Sequence, residues 1–256
     1  CYDFDLRERL DSLSTSGKFA DDEVTFLYDE LLQITIDQFP SSSNNLAIIE
    51  SLEDKISEIT NSHVHVLEQV RLLLHYTKER GTLPFSHIAR NGFVATCLLR
   101  SLVRKGIVNN EDVDRFYESL NTVTHQMELD GYLFGLGSIS KDEYLFKYGH
   151  LRPGTYDISM PSYAQNFDGY LSHLSSDTPN KPSDVVVDCW SSENILAVSE
   201  FLESSPLPWA FDEFDRYLRD AVAGREYAKL KFSKSLSLSL DLIKTWGKSY
   251  GMDSSF

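Results

Sequence analysis

Leu236-Ser-Leu-Ser-Leu-Asp-Leu242 alternates apolar and polar residues without a miss, which is the pattern of a half-buried strand. The same residues also belong to a helical stripe, Phe232, Leu236, Leu240, Ile243 and Trp246, that extends over more of the chain. Strands seldom exceed about eight residues whereas helices run on, so length decides for helix. With that stretch helical, three-and-four spacing recurs in at least six segments. It predicts an all-α, irregular multi-helix domain with more than half its residues helical. Gly224-Arg-Glu-Tyr227, just upstream, reads equally as a helix interior or a break.

Working outward, Ser191-Ser-Glu-Asn194 begins a helix that ends at Ser204-Ser-Pro206, and Val185-Val-Val187 reads as a short strand or an extended lead-in. The stretch from Pro161 to Pro182 is rich in Ser, Asn, Asp and Pro and lacks helical periodicity, so it is expected to be a mobile cover or a disordered link. The expected organisation is a helical lobe over 1–160, a polar link over 161–184 and a C-terminal helical lobe of the same domain over 185–256.

Nearer the start, Asp3 to Ser14 is helical, and Asp21-Asp22-Glu23 opens a second helix with acids at the positive end of its dipole. Pro40 and Ser41-Ser-Ser-Asn-Asn45 are expected to break the chain. A long helix should follow, from Leu46 or Ser51 to Arg80, as a spine. Leu83-Pro84 opens the next, with the apolar stripe Phe85, Ile88, Ala89, Phe93, Thr96, Leu99 and Val103 stopping near Gly106. Asn110-Glu-Asp112 caps a helix through Phe116, Leu120, Val123, Met127 and Leu129, ahead of a glycine-rich break from Gly131 to Ser138. Ser140-Lys-Asp-Glu143 resembles a capping box.

The chain has 256 residues, 41% of them hydrophobic, enough for a large core. Its net charge of −15 repels nucleic acid and anionic membrane, and no basic stripe compensates. No apolar run approaches the roughly 20 residues that span a bilayer, and three cysteines without metal-ligand spacing argue for reduced thiols, so a soluble, cytoplasmic protein is expected. Without an initiator Met or a targeting tail, its ends are expected to be cuts in a longer chain. His63, Glu68 and His75 do not make a His-Glu-x-x-His pattern, and no metal site is expected. His63, His65, His125 and His173 take core or surface roles.

Chemistry concentrates in Lys147-Tyr-Gly-His-Leu-Arg-Pro-Gly-Thr-Tyr-Asp157. Lys147, Tyr148, His150, Arg152 and Asp157 surround a turn in which Pro153 presets φ and Gly154 is free to take φ > 0. The segment reads either as an anion-binding loop or as a helix-to-loop junction whose Arg and His cap carbonyls. His87, Arg90 and Asn91 share a face at the expected first turns of the Leu83 helix, where backbone N–H groups favour anions. Arg100 and Arg104, farther along, are expected to pair with acids. The site expectation is therefore that Lys147, His150, Arg152, Asp157, Arg90 and His87 bind the substrate, with Arg152 and His150 facing a cavity shared with Arg90 or His87 as an anion site. Asp157 would be the internal counter-charge and Arg152 would face solvent.

The Lys147–Asp157 segment resembles one found in phosphoenolpyruvate synthase and pyruvate phosphate dikinase-like phosphotransferases, and more loosely the Arg-Gly-Pro-Gly segment of rifampicin phosphotransferases. Gly81-Thr-Leu-Pro-Phe-Ser-His-Ile-Ala-Arg-Asn-Gly-Phe93 and Gly224-Arg-Glu-Tyr-Ala-Lys229 are similar to further segments of that family's central region, in the same order. The resemblance implies a three-part enzyme that uses ATP and Mg: an ATP-grasp domain, a swivelling phosphohistidine domain and a region holding a small-molecule phosphoryl acceptor. This chain resembles only the third part, so the other two would be its partners, and alone it is expected to be inactive and to hold no cofactor. In Phe-Ser-His-Ile-Ala-Arg90, His87 looks like a phosphohistidine motif, but Leu83-Pro84 stands where the motif's glycine pair belongs, so His87 reads as structural or acceptor-side. Two alternatives stay open: a helical docking module without a ligand site, and an enzyme using His150 with Asp157 as an acid–base pair.

Overall fold

The computed structural model describes residues 1–175, 182 and 189–252, which are 73% helical and contain no strand. The helices are α1 (Leu6–Thr15), α2 (Asp21–Glu50), α3 (Leu52–Thr60), α4 (Val66–Tyr76), α5 (Leu83–Arg104), α6 (Asn110–Glu118), α7 (Val123–Gly135), α8 (Lys141–Tyr148), α9 (Phe167–Leu171), α10 (Ser192–Glu203) and α11 (Phe211–Ser249). A π-helical turn, Thr77–Thr82, joins α4 to α5, and a 3₁₀ turn, Ser172–Ser175, follows α9. The all-α expectation holds, and the alternating Leu-Ser run lies inside α11. Val185–Val187 falls outside the described residues.

Several boundaries differ from the sequence reading. Pro40 and the serines after it do not break the chain: α2 is helical throughout. A mid-helix proline costs about 3 kcal/mol, but Thr35 before it and Ile49 after it are both buried and anchor the helix on either side. The long spine expected from Leu46 or Ser51 to Arg80 is instead interrupted between α3 and α4. There Ser62 Oγ donates to Ile59 O, and His65 caps α4 by accepting from Leu67 N–H at 3.3 Å. The apolar spacing could not reveal this, because Thr60 to His65 offer almost no apolar residue to test the phase. The helix expected from Asn110 to Leu129 likewise divides at Ser119–Thr122, where the Thr122 hydroxyl caps α7 by accepting from His125 N–H. Within the polar stretch, Phe167 and Leu171 are buried and belong to a core.

α5 does not begin at a free end. The π turn leads straight into it, with Leu83 N–H donating to Lys78 O. Pro84 has no N–H to give and crowds the preceding turn, and a wider π turn immediately before it relieves that conflict. The turn packs tightly: Thr77 Oγ1 donates to Ser235 Oγ at 2.8 Å, and a Cβ on Gly81 would lie 2.9 Å from Phe232 Cβ. α5 is also rotated relative to the expected stripe. Ile88, Asn91, Val94, Ala95, Leu98, Leu99 and Leu102 face inward, while Phe93 is exposed beneath the Arg225 guanidinium.

The chain divides into two compact units, each assembled from three separate stretches rather than the consecutive lobes expected from sequence. The first comprises Cys1–Asn44, Ser86–Asn121 and Asp184–Arg225; the second comprises Asn45–Phe85, Thr122–Ser183 and Glu226–Phe256. Leu98, Leu99, Leu102, Phe116, Phe214 and Leu218 lie at the centre of the first. Arg104 there pairs with Asp3 and Asp5, as expected. Tyr144, Tyr148, Phe167 and Leu171 form a core in the second, under Met127, Phe134 and Leu230. Among the described residues no helix is long and apolar enough to cross a membrane.

Candidate functional site

The donor-rich loop belongs to the second unit and leaves α8 at its C-terminal end. α8 is fixed by the expected capping box: Ser140 Oγ accepts from Glu143 N–H while Glu143 Oε2 accepts from Ser140 N–H. From there Tyr144 and Tyr148 turn into the core, and burial raises the phenol pKa of both. Beyond Gly149 the loop folds back on itself, Tyr163 N–H donating to Leu151 O at 2.7 Å and Ala164 N–H to Gly149 O at 2.9 Å. Gly154 takes φ +64°, the positive value anticipated beside Pro153, and Asp157 N–H closes the turn onto Gly154 O.

Within this frame the loop's polar side chains point at the protein. Lys147 Nζ reaches Asp130 Oδ2 at 2.8 Å, and Tyr148 OH donates to the same oxygen at 2.9 Å. Asp130 is buried on α7, so the pair fastens α8 to α7. Arg152 goes deepest: its side chain is 1% exposed. Nη2 donates to Ser237 Oγ at 2.7 Å, Ser237 O at 3.2 Å and Asp241 Oδ1 at 2.8 Å, and Nη1 donates to Met160 O at 3.2 Å. The expected counter-charge, Asp157, is instead exposed and accepts from Ser159 N–H and Oγ, which lowers its pKa. Asp241, invisible to the sequence reading, takes its place.

His150 is held at Nε2 by Leu230 O at 2.9 Å. A carbonyl accepts only, so Nε2 carries the proton and Nδ1 is a bare lone pair, buried without a partner among the described residues. Burial lowers the imidazole pKa to about 4, with Lys234 and Lys231 adding to the effect. The ring is therefore neutral at physiological pH. It makes no acid–base pair with Asp157, whose Oδ1 is engaged by Ser159.

An anion needs accessible donors, and this loop offers few. The Arg152 guanidinium is closed off, His150 presents a lone pair that repels an anion, and Lys147, with its side chain 52% exposed, is already paired. His87 and Arg90 belong to the first unit, where His87 is half-buried and Arg90 exposed on α5. The free N-terminal amides expected beside them are replaced by the continuous π-to-α turn. Among the described residues no group of three or more His, Cys, Asp or Glu side chains is placed to hold a metal ion.

The residues the sequence reading missed are the acceptors on α11. Ser233, Ser235, Ser237 and Ser239 are all buried, with Ser235 accepting from Thr77 and Ser237 from Arg152. The alternating Leu-Ser run was their signal. Comparison with protein-family models, curated proteins and solved structures gave no match.

Proposed function

We propose that this chain is a helical docking module of a phosphoenolpyruvate-synthase-like phosphotransferase, in which the Lys147–Asp157 loop is an internal brace rather than an anion site. One observation carries the choice of brace: the Arg152 side chain is 1% exposed and spends its charge on Asp241. The resemblance of the Lys147–Asp157 segment supports the parent class, and the helical fold suits a region that positions other domains. ATP, Mg and the phosphohistidine then belong to those partner domains, and the chain supplies surfaces for them.

The test is direct binding. Titrating the chain with the ATP-grasp and phosphohistidine domains of its parent enzyme in a calorimeter should give saturable association, whereas inorganic phosphate and phosphoenolpyruvate should give no heat. Phosphate binding that Lys147→Ala abolishes, without association of either domain, would overturn the proposal.

A second reading keeps the acceptor-binding role and moves it to α5. It is favoured by Arg90, which is exposed and has no hydrogen bond or ion pair among the described residues. An unpaired arginine suits bidentate contact with a carboxylate or phosphate. Arg90→Ala in the parent enzyme should then raise KM for the acceptor without altering the melting temperature.

A further inference from the structure

The first unit contains a cavity of ≈710 Å³ where α10 ends and α11 begins. That volume lies within the roughly 300–1,000 Å³ usual for small-molecule sites. Its floor is apolar: Leu202 and Leu207 are buried and Trp209 is 7% exposed. Phe211 forms part of the wall, and Glu203 and Asp212 are exposed among the lining residues. Among the described residues neither carboxylate has a hydrogen bond or ion pair, and no Lys, Arg or His lines the cavity.

The charged side chains that line this space, Glu203 and Asp212, have one sign. Glu203 is the last residue of α10, whose final turn holds no basic side chain, so its carboxylate adds to the negative end of the helix dipole. Asp212 lies in the first turn of α11, at the positive end of that helix's dipole, so Glu203 is the less compensated of the two. Two exposed carboxylates without a hydrogen bond or ion pair among the described residues line a space whose buried residues are Leu202, Leu207 and Trp209. A ligand suited to both must place a cation at the rim and an apolar stem on Leu202, Leu207 and Trp209.

We propose that this cavity binds an ammonium group carried on an apolar stem, with Glu203 and Asp212 receiving the cation and Trp209 receiving the stem. The ligand chemistry is shared by a free hydrophobic amine and by a lysine flanked by apolar residues on a partner. The site lies apart in sequence from the Lys147–Asp157 loop and stands whether or not that loop is a brace.

The experiment follows the indole N–H signal of Trp209 by ¹H–¹⁵N NMR, assigned with Trp209→Phe, during titration with phenethylammonium, 2-phenylethanol and 3-phenylpropionate. These probes have similar stems and differ in charge. Phenethylammonium should give a saturable shift, the alcohol should bind about tenfold more weakly and the carboxylate not at all. A charge-assisted hydrogen bond is worth about 1.5–3 kcal/mol, so Glu203→Gln and Asp212→Asn should each weaken the amine about tenfold and leave the alcohol unchanged. Both positions are exposed, so circular dichroism should match the parent chain. A capped Leu-Lys-Leu tripeptide separates the sources: tighter binding than the amine assigns a partner's lysine, weaker binding a free amine. Equal affinity for amine and alcohol, affinity untouched by both variants, or no saturable shift would overturn the proposal.

Discussion

Arg152 donates from Nη2 to Asp241 Oδ1 at 2.8 Å, tying the Pro-Gly loop to a residue 89 positions farther along the chain. The same nitrogen also reaches Ser237, so one guanidinium holds the loop against two successive turns of α11. A residue set that reads as phosphate-binding chemistry acts here as an internal clasp. The difference lies in which acceptors the fold brings within reach.

Asp241→Ala leaves the Arg152 charge buried and uncompensated, which typically costs about 3–5 kcal/mol. Replacing both partners by apolar residues, Arg152→Met with Asp241→Leu, removes the stranded charge and should recover much of that loss. Urea unfolding of the single and double variants checks this; a double variant less stable than Asp241→Ala would contradict the clasp.

Gly154 sits at φ +64°. An L side chain with a Cβ pays about 1 kcal/mol or more in the left-handed region, and asparagine tolerates it better than alanine. Gly154→Ala should therefore destabilise the chain by about 1 kcal/mol and Gly154→Asn by less, measured from denaturant midpoints. Equal losses would place the turn in another conformation.

His150 links stability to pH. Its pKa falls from 6.5 to about 4 in the folded chain, chiefly through burial, with Lys231 and Lys234 opposing and Glu53 favouring its charge. Between those values the unfolded chain takes up a proton that the folded chain refuses, so stability declines as pH drops from about 6.5 towards 4 and levels off below. The full effect is about 3 kcal/mol. His150→Gln can still donate to Leu230 O but does not titrate, so its denaturant midpoint should fall less steeply across this window. Parallel pH profiles would contradict the buried neutral imidazole.

His87 stands on α5 with Leu83-Pro84 inside the helical run before it. The chain incubated with labelled ATP and magnesium should neither release phosphate nor retain label on His87. Stable label there would restore the phosphocarrier role.

Local signals in the sequence carried much of the fold. The Ser140–Glu143 capping box, the Ser191 cap and the stop at Gly106 depend on residues a few positions apart, and each is where the pattern puts it. Helix continuity through Pro40 and the gap before His65 were not legible, because burial of Ile49 and the cap at His65 decide them against local propensity. In the candidate site the residues that matter were visible but their direction was not. Lys147, His150 and Arg152 read the same whether they face solvent or Asp130, Leu230 and Asp241, and those acceptors lie 17, 80 and 89 residues away.

Arg152→Ala separates brace from anion site in one protein preparation, by pairing its urea unfolding curve with a phosphate titration followed by NMR. A buried brace requires a loss of about 2 kcal/mol or more in stability, because Ser237 and Met160 O lose their buried donor and the side chain leaves a cavity, with phosphate failing to bind the parent chain and the variant alike. Unchanged stability together with phosphate binding that the parent chain shows and the variant loses would contradict the brace and return Arg152 to the role of ligand contact.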